Sequence, residues 1–166
     1  PIYNIYMKRM RLLIIILFIM NGCAHVVSQD MREQVDKELT PAALFKTPEQ
    51  YTGKTVILGG IIISAKNTDQ GTYVEVLQRP LDYRGRPEDT DISYGRFIIY
   101  HQEYLDAAIY STGKDITAAG TVLGTVLRPL GEIQYPYLLI MAREIHLFGL
   151  RNFLPIQFSI GILSTF

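Results

Sequence analysis

Two adjacent glycines, Gly59 and Gly60, lie in the middle of the segment with the strongest β propensity. That segment, 54–64, reads KTVILGGIIIS, and its many β-branched residues favour an extended strand. A glycine pair inside a strand relieves crowding and permits a sharp bend. The pattern therefore predicts a long first strand that curves to serve two sides of a barrel.

Further strands follow, with turn-forming residues between them. Residues 72–78 alternate between the two faces expected of a strand, and residues 95–100 form a short apolar strand. The clearest alternation runs over 115–127, where small and β-branched residues share one face and threonines the other. A last strand is expected at 137–148, after a turn at 129–136 that contains glycine and two prolines.

Two helical segments are expected among these strands. Thr40 followed by Pro41 is typical of a helix N-cap, and it predicts a short helix over 42–46. Residues 103–110, EYLDAAIY, have helical character between the third and fourth strands. This order predicts an all-β fold with a short helix, an OB-fold-like five-stranded Greek-key barrel. A six-stranded β-sandwich is the alternative.

The first part of the sequence has the layout of a bacterial lipoprotein signal. Three basic residues within 8–11 precede an apolar run over 12–20, which ends shortly before Cys23. That run is well short of the roughly 20 residues that span a bilayer as a helix. Cys23 is the only cysteine, which excludes an internal disulfide. We expect cleavage before Cys23 and lipid on its sulfur; the alternative is an ordinary signal peptide with an incidental cysteine.

These features divide the chain into four parts. We predict a lipoprotein-type signal peptide at 1–22, and a lipidated cysteine with a polar tether at 23–39. The barrel domain is expected at 40–148 and an apolar tail at 149–166. Three alternatives stay open for the tail: an added edge strand, a contact with a membrane or partner, or an abnormal extension of the reading frame.

Charge and motif content argue against several functions. The signal holds three basic residues and no acidic ones, so the remaining chain has a net charge of about −3, whereas nucleic-acid-binding proteins usually present a strongly basic face. The sequence contains no Gly-x-Ser-x-Gly, phosphate-loop or dinucleotide-binding motif. We therefore expect no nucleic-acid partner, no catalytic residues and no enzymatic activity.

Candidate metal ligands are dispersed along the chain. His25, His101 and His146 occur singly in the tether, a loop and a strand. The acidic segment 88–91 lacks the glycine and the distal glutamate of a calcium loop. We expect no metal site, and no cofactor other than the covalent lipid on Cys23.

Glu75 is the most informative carboxylate because it lies inside an apolar strand. It has two interpretations: an ion pair with Arg96 on the neighbouring strand, or simple outward exposure.

A ligand-binding face is predicted where OB-folds bind their ligands, on strands two and three and the adjoining loops. We expect aromatic side chains there to provide a stacking platform, with arginines around it to bind anionic groups. Strand alternation places some of the aromatic side chains in the core instead. The candidate residues are Tyr73, Phe97, Tyr100, Arg79, Arg84, Arg86 and Arg96.

From Cys23 to Phe148 the sequence resembles the Slp family of bacterial outer-membrane lipoproteins. No single motif is diagnostic, and the resemblance depends on many motifs in a fixed order. They are Phe45, Pro48, Tyr51-x-Gly53-Lys54, Gly59-Gly60, Asn67, Thr72-x-x-Glu75-Val76, Pro80-Leu81-Asp82, Gly85-Arg86-Pro87, Gly95-Arg96-Phe97, Tyr110-x-x-Gly113, Gly120-x-Val122-x-Gly124, Gly131-Glu132 and Ile145-His146-Leu147.

This resemblance implies a non-enzymatic lipoprotein on the periplasmic face of the outer membrane, with a role in envelope maintenance or in starvation and stress. It implies diacylglycerol and an N-acyl chain such as palmitate on Cys23, and passage through the lipoprotein export and sorting machinery. Ala24 stands where aspartate commonly retains a lipoprotein in the inner membrane, which favours the outer membrane. An envelope protein or glycan is the expected further partner. The alternative function is a tethered OB-type module that binds an oligosaccharide or an anionic envelope ligand.

Overall fold

The computed structural model describes Tyr3 and residues 25–36 and 38–149. The signal, Cys23 and almost all of the apolar tail lie outside the described residues. In residues 25–36 and 38–149, two short helices and a 3-10 turn precede five strands. The elements are α1 (Gln29–Gln34), α2 (Pro41–Lys46), the 3-10 turn Pro48–Tyr51, β1 (Thr55–Thr68), β2 (Gly71–Arg79), β3 (Arg96–His101), β4 (Asp115–Leu130) and β5 (Ile133–Leu147).

The five strands close into a barrel in the order β1-β2-β3-β5-β4. Neighbouring strands are antiparallel, except that β3 and β5 run parallel. This is the connectivity of a five-stranded OB-type Greek-key barrel. The predicted fold class is confirmed, and the sandwich alternative is wrong.

The predicted curvature of β1 is also confirmed. The first half of β1 pairs with β4 and the second half with β2, and both ladders include the segment 59–61. A Cβ atom on Gly60 would overlap the carbonyl oxygen of Leu77 on β2. A Cβ on Gly59 would lie 2.8 Å from the carbonyl oxygen of Ile116 on β4. Glycine is therefore needed at both positions because two neighbouring backbones approach β1 there.

The core fills the barrel from the inward face of each strand. Along β2 the burial alternates strictly, which places Val74 and Val76 inside. Leu44 of α2 is fully buried and packs in the same cluster. As predicted, α2 begins with an N-cap: Thr40 Oγ1 accepts a hydrogen bond from the Ala43 N–H at 3.3 Å.

The helix predicted over 103–110 is wrong, because the chain forms only a single turn there. The backbone carbonyl of Asp106 accepts hydrogen bonds from the N–H groups of Ile109 and Tyr110, both at 2.9 Å. The Asp106 carboxylate accepts a further bond from the Ala108 N–H at 2.8 Å. The side-chain bond is one that a helix N-cap makes, but the chain leaves the helical conformation after this single turn.

The turn predicted over 129–136 is much shorter in the structure, because β4 and β5 continue to a tight turn at Gly131 and Glu132. Pro129 and Pro136 lie inside the ladder, opposite Gln134 and Leu127. Beyond Thr121 on β4, no pairing with β1 remains, and β5 pairs with β3 only from Leu138 onward. Both prolines therefore lie on strands with an open edge, where a missing N–H is tolerated.

Residues 25–34, predicted as part of a polar tether, instead pack on the outside of the barrel. Val27 and Met31 are buried in a small cluster with Ala119 of β4. The other residues of α1 are polar and exposed. Two apolar residues four positions apart were too weak a signal to distinguish a docked helix from a spacer.

Hydrogen bonds fix the same segment to the barrel. Ser28 donates from its N–H and from its Oγ to the two carboxylate oxygens of Glu144 on β5, at 2.9 and 2.5 Å. The Val26 N–H donates to the carbonyl of Arg84 at 2.9 Å. The segment is therefore held by polar contacts as well as by its apolar cluster.

Substitution of Gly60 tests the curved strand. We expect Gly60→Ala to lower the free energy of unfolding by about 2 kcal/mol, because the added methyl group meets the Leu77 backbone. Chemical denaturation measures this change. The matched control is Gly149→Ala, where a Cβ meets no atom of the described residues within 4 Å. Equal stability of the two variants would contradict the close approach at Gly60.

Candidate ligand face and the surface beside the anchor

Two tyrosines form an aromatic surface on the outside of the barrel. Tyr73 of β2 is directly opposite Tyr100 of β3 in the antiparallel ladder. Their ring centroids are 5.0 Å apart, with an angle of 32° between the planes. Because the neighbours Thr72 and Val74 are buried, strand alternation turns both tyrosines outward. The pair offers a surface on which a ring-shaped ligand can stack.

A cleft lies beside this pair, between the β1–β2 hairpin and the long β4–β5 hairpin. Its volume is about 400 Å³. The Arg128 guanidinium lies 5.1 Å from the centroid of the Tyr73 ring, a cation–π contact. The Tyr100 hydroxyl donates to the Gln70 carbonyl at 2.7 Å, which fixes the second ring to the β1–β2 hairpin. The lining residues are Lys66, Thr68, Asp69, Gln70, Tyr73 and Arg128.

A hydrogen-bonded ion pair joins three strands next to the aromatic surface. Arg96 Nη1 on β3 lies 2.6 Å from Glu75 Oε1 on β2, and the Tyr137 hydroxyl of β5 donates to the same oxygen at 3.1 Å. The predicted pairing of Glu75 with Arg96 is therefore confirmed. The hydrogen bond that Arg96 donates to Glu75 raises the pKa of Arg96, while burial, followed by the Glu75 charge, raises the pKa of Tyr137.

This network changes the role expected of Arg96. Its charge is compensated by Glu75 at hydrogen-bonding distance, so the side chain joins β2 to β3. Arg96 lies on the predicted face, but its guanidinium is paired with Glu75 of the neighbouring strand.

Phe97 does not belong to the aromatic surface. Its side chain is completely buried in the barrel core, where Phe45 of α2 packs edge-on against it with ring centroids 6.3 Å apart. Arg96 and Tyr100 point outward from β3, and alternation directs Phe97 and Ile99 inward. The prediction that Phe97 contributes to a platform is wrong.

The other predicted arginines lie away from the tyrosine pair. Arg79, at the end of β2, pairs with Asp89 at 3.6 Å. Arg84 and Arg86 are in the following loop, which the Thr117 hydroxyl joins to β4 by donating to the Gly85 carbonyl at 2.7 Å. The structure therefore does not bring these three arginines to the tyrosine pair.

Two cations that do line the cleft, Lys66 and Arg128, were missed. Arg128 falls just after the strand predicted to end at residue 127, because the prolines conceal the length of the β4–β5 hairpin. Lys66 is directly opposite Tyr73 in the β1–β2 ladder, but its strand was expected to end at Ser64. A correct hairpin length would have placed both residues over the predicted face.

The histidines and the acidic segment occupy separate places. His25 contacts Gly85, and His146 stacks on Phe148 with ring centroids 4.6 Å apart. Asp89 of the acidic segment is paired with Arg79. Within 25–36 and 38–149, no group of three or more histidine, cysteine or acidic side chains is arranged to hold a metal ion. In the same residues, no helix has the length and apolar character to cross a membrane.

The strand order of the closed barrel defines a small OB-type barrel protein. A solved structure with a similar shape is the small single-stranded DNA-binding protein from Streptomyces coelicolor, with a TM-score of 0.36 and 13% sequence identity. The match covers 57% of this chain and 94% of that one. No curated protein matches the sequence.

The sequence pattern of the outer membrane lipoprotein Slp family matches residues 20–153. The chain belongs to this family, as its motifs predicted. Family membership indicates an outer-membrane lipoprotein.

Proposed function

We propose that this protein is anchored to the outer membrane by lipid on Cys23, faces the periplasm, and maintains the envelope during starvation or stress without enzymatic activity. The family match, which includes Cys23, supports the anchor. In this proposal the lipid is diacylglycerol with an additional N-acyl chain, and the export and sorting machinery delivers the protein. Envelope proteins or glycans are its proposed partners.

The docked segment is the observation that carries this proposal. Cys23 precedes Val26 by three residues, and an extended chain advances only about 3.3–3.6 Å per residue. The Val26 N–H is hydrogen-bonded to Arg84 of the barrel. A lipid on Cys23 therefore holds the barrel within about 10 Å of its attachment point. This arrangement suits a protein that acts at the membrane surface.

A second function is favoured by the cleft beside Tyr73 and Tyr100. Stacked rings bind the apolar face of a sugar, while Arg128 and Lys66 supply positive charge for a carboxylate or phosphate. OB-folds bind oligosaccharides at strands two and three with these same two loops. We therefore propose an anionic oligosaccharide of the envelope as the ligand class for this cleft.

The anchor proposal predicts the effect of removing one sulfur. Two or three acyl chains hold a protein on a bilayer durably, because each buried methylene contributes about 0.8 kcal/mol. We expect Cys23→Ser to leave an uncleaved precursor or a form released from the outer membrane. Membrane fractionation and metabolic labelling with palmitate measure the two effects. Normal maturation and unchanged outer-membrane fractionation would contradict the anchor.

Ala24→Asp is the matched control for this experiment. It leaves the sulfur in place, so palmitate labelling should persist while the protein moves to the inner membrane. Loss of labelling in both variants would indicate damage to the signal as a whole.

The cleft proposal predicts a loss of ligand affinity in two variants. Ring stacking contributes about 1–3 kcal/mol per ring, so Tyr73→Ala should weaken binding of purified peptidoglycan fragments about tenfold. Arg128→Ala should also weaken binding, and more strongly at low salt. Titration calorimetry measures both. Arg84→Ala, in the loop that lies against β4, is the control and should bind as the parent does. Unchanged affinity in Tyr73→Ala would contradict a site at the cleft.

A further inference from the structure

An exposed, internally hydrogen-bonded turn at 82–86 presents an aromatic side chain and a cation together. Tyr83 is 73% exposed, and the Arg84 guanidinium lies 5.2 Å from the centroid of its ring. Asp82 Oδ1 accepts hydrogen bonds from the N–H groups of Arg84 and Arg86, both at 2.9 Å. The Asp82 N–H donates to the Arg86 carbonyl at 2.8 Å, which closes the turn. Tyr83 is therefore held outward on a preformed support.

The turn lies directly against the part of the chain that follows Cys23. The Arg84 carbonyl accepts the hydrogen bond from the Val26 N–H at 2.9 Å. The His25 ring packs so closely on Gly85 that a Cβ there would lie 2.6 Å from its Cε1 atom. Because His25 is only two residues after Cys23, the turn and the proposed lipid attachment are neighbours.

The end of β5 reaches the other side of the same turn. The Arg86 guanidinium lies 5.0 Å from the centroid of the Phe148 ring. The Phe148 N–H donates to the Asp115 carbonyl at 2.9 Å, so this ring is fixed beside the start of β4. In the sequence, the mostly apolar residues 151–166 follow shortly after. The parts of the chain leading to Cys23 and to this apolar stretch thus flank the turn.

We propose that the Tyr83–Arg84 turn contacts the phospholipid headgroups of the membrane to which Cys23 is attached. The inference rests on the proposed anchoring at Cys23. Tyrosine rings concentrate at the membrane interface, where the ring is partly apolar and the hydroxyl is hydrated. A guanidinium group binds phosphate oxygens with two parallel hydrogen bonds. A preformed turn loses little conformational entropy on contact.

Asp82 and Asp115, the two carboxylates in direct contact with the turn, are engaged within the protein. Hydrogen bonds from the backbone of Arg86 and Arg84 lower the pKa of Asp82, whose carboxylate is directed into the turn. Asp115 is buried and lies 3.9 Å from Arg86. Neither carboxylate is presented to a bilayer beside Tyr83.

This contact also orients the ligand cleft. Tyr73 is six residues before Arg79 on β2, a distance of about 20 Å along the strand. The 82–86 turn follows the Arg79 end of β2, so headgroup contact there leaves the Tyr73 end directed away from the bilayer.

A tryptophan reporter tests the proposed contact, because the chain contains no tryptophan of its own. The lipidated protein with Tyr83→Trp is purified from membranes and reconstituted into vesicles of phosphatidylethanolamine with some phosphatidylglycerol. On these vesicles the tryptophan emission should shift to the blue, because the indole leaves water. When the vesicles also contain brominated phospholipid, the emission should lose most of its intensity, because bromine quenches a nearby indole. The matched control is Tyr104→Trp, because Tyr104 is 72% exposed and follows the opposite end of the β2–β3 pair. Its emission should resemble that of a water-exposed indole.

Vesicle flotation of both variants separates this inference from the anchor. Flotation of both, with quenching in the Tyr83→Trp variant alone, supports the contact. Flotation with equal quenching in the two variants, or with quenching in neither, would overturn the contact and leave the anchor intact. Absence of flotation would overturn the anchor and the contact together. Thermal melts matching that of the parent show that both reporters report on the folded protein.

Discussion

Val27 and Met31 are buried against Ala119 of β4, and this packing holds residues 25–34 on the outside of the barrel. A small residue on the outer face of β4 leaves room for both side chains, and Ser28 adds two hydrogen bonds to Glu144 of β5. Without this packing, the residues after Cys23 would be a flexible spacer and the barrel could turn freely. With it, the lipid proposed for Cys23 would be held close to one defined side of the barrel.

The barrel provides that defined side because β1 serves two neighbours. Gly59 and Gly60 let β2 and β4 approach the same stretch of backbone, which closes the sheet. The network of Glu75, Arg96 and Tyr137 then joins β2, β3 and β5 on the outer face. Next to it, Tyr73, the β1–β2 hairpin and Arg128 of the β4–β5 hairpin line a cleft. The cleft and the 82–86 turn therefore lie near opposite ends of β2 in the same barrel.

Much of the fold followed from local sequence patterns with a direct physical cause. The glycine pair indicated the curved strand, Thr40-Pro41 the start of a helix, and the alternation after Asp115 the fourth strand. The errors arose where side chains or distant strands decided the outcome. After one turn at Asp106, the Gly113 N–H donates to the Ile62 carbonyl of β1, so the chain joins the barrel there and does not continue as a helix. Pro129 and Pro136 lay on open strand edges, so the hairpin extended through them.

The candidate site was predictable in location but only partly in composition. OB topology placed Tyr73 and Tyr100 on one surface, and strand alternation separates Phe97 from Arg96 and Tyr100, which share the opposite face of β3. The separation of Arg84 and Arg86 from the tyrosines depended on how a long loop folds back on β4. The docking of 25–34 depended on two isolated apolar residues that find a partner only in the folded barrel. Neither the position of this loop nor the docking of 25–34 is indicated by a periodic pattern of apolar residues in the sequence.

Hydrogen exchange at the backbone amides of 25–31 measures the docking most directly. At neutral pH the Val26 amide should be strongly protected, because its N–H is bonded to the Arg84 carbonyl. The hydrogen bonds from Ser28 lower the pKa of Glu144, so they stabilise docking above the ordinary glutamate pKa. That stabilisation is lost as the pH falls through the lowered value in the folded protein, and Glu144→Gln should weaken protection even at neutral pH. Exchange of the Val26 amide at the rate of an unstructured peptide would show that the segment is a free tether and that the barrel is not held at its anchor.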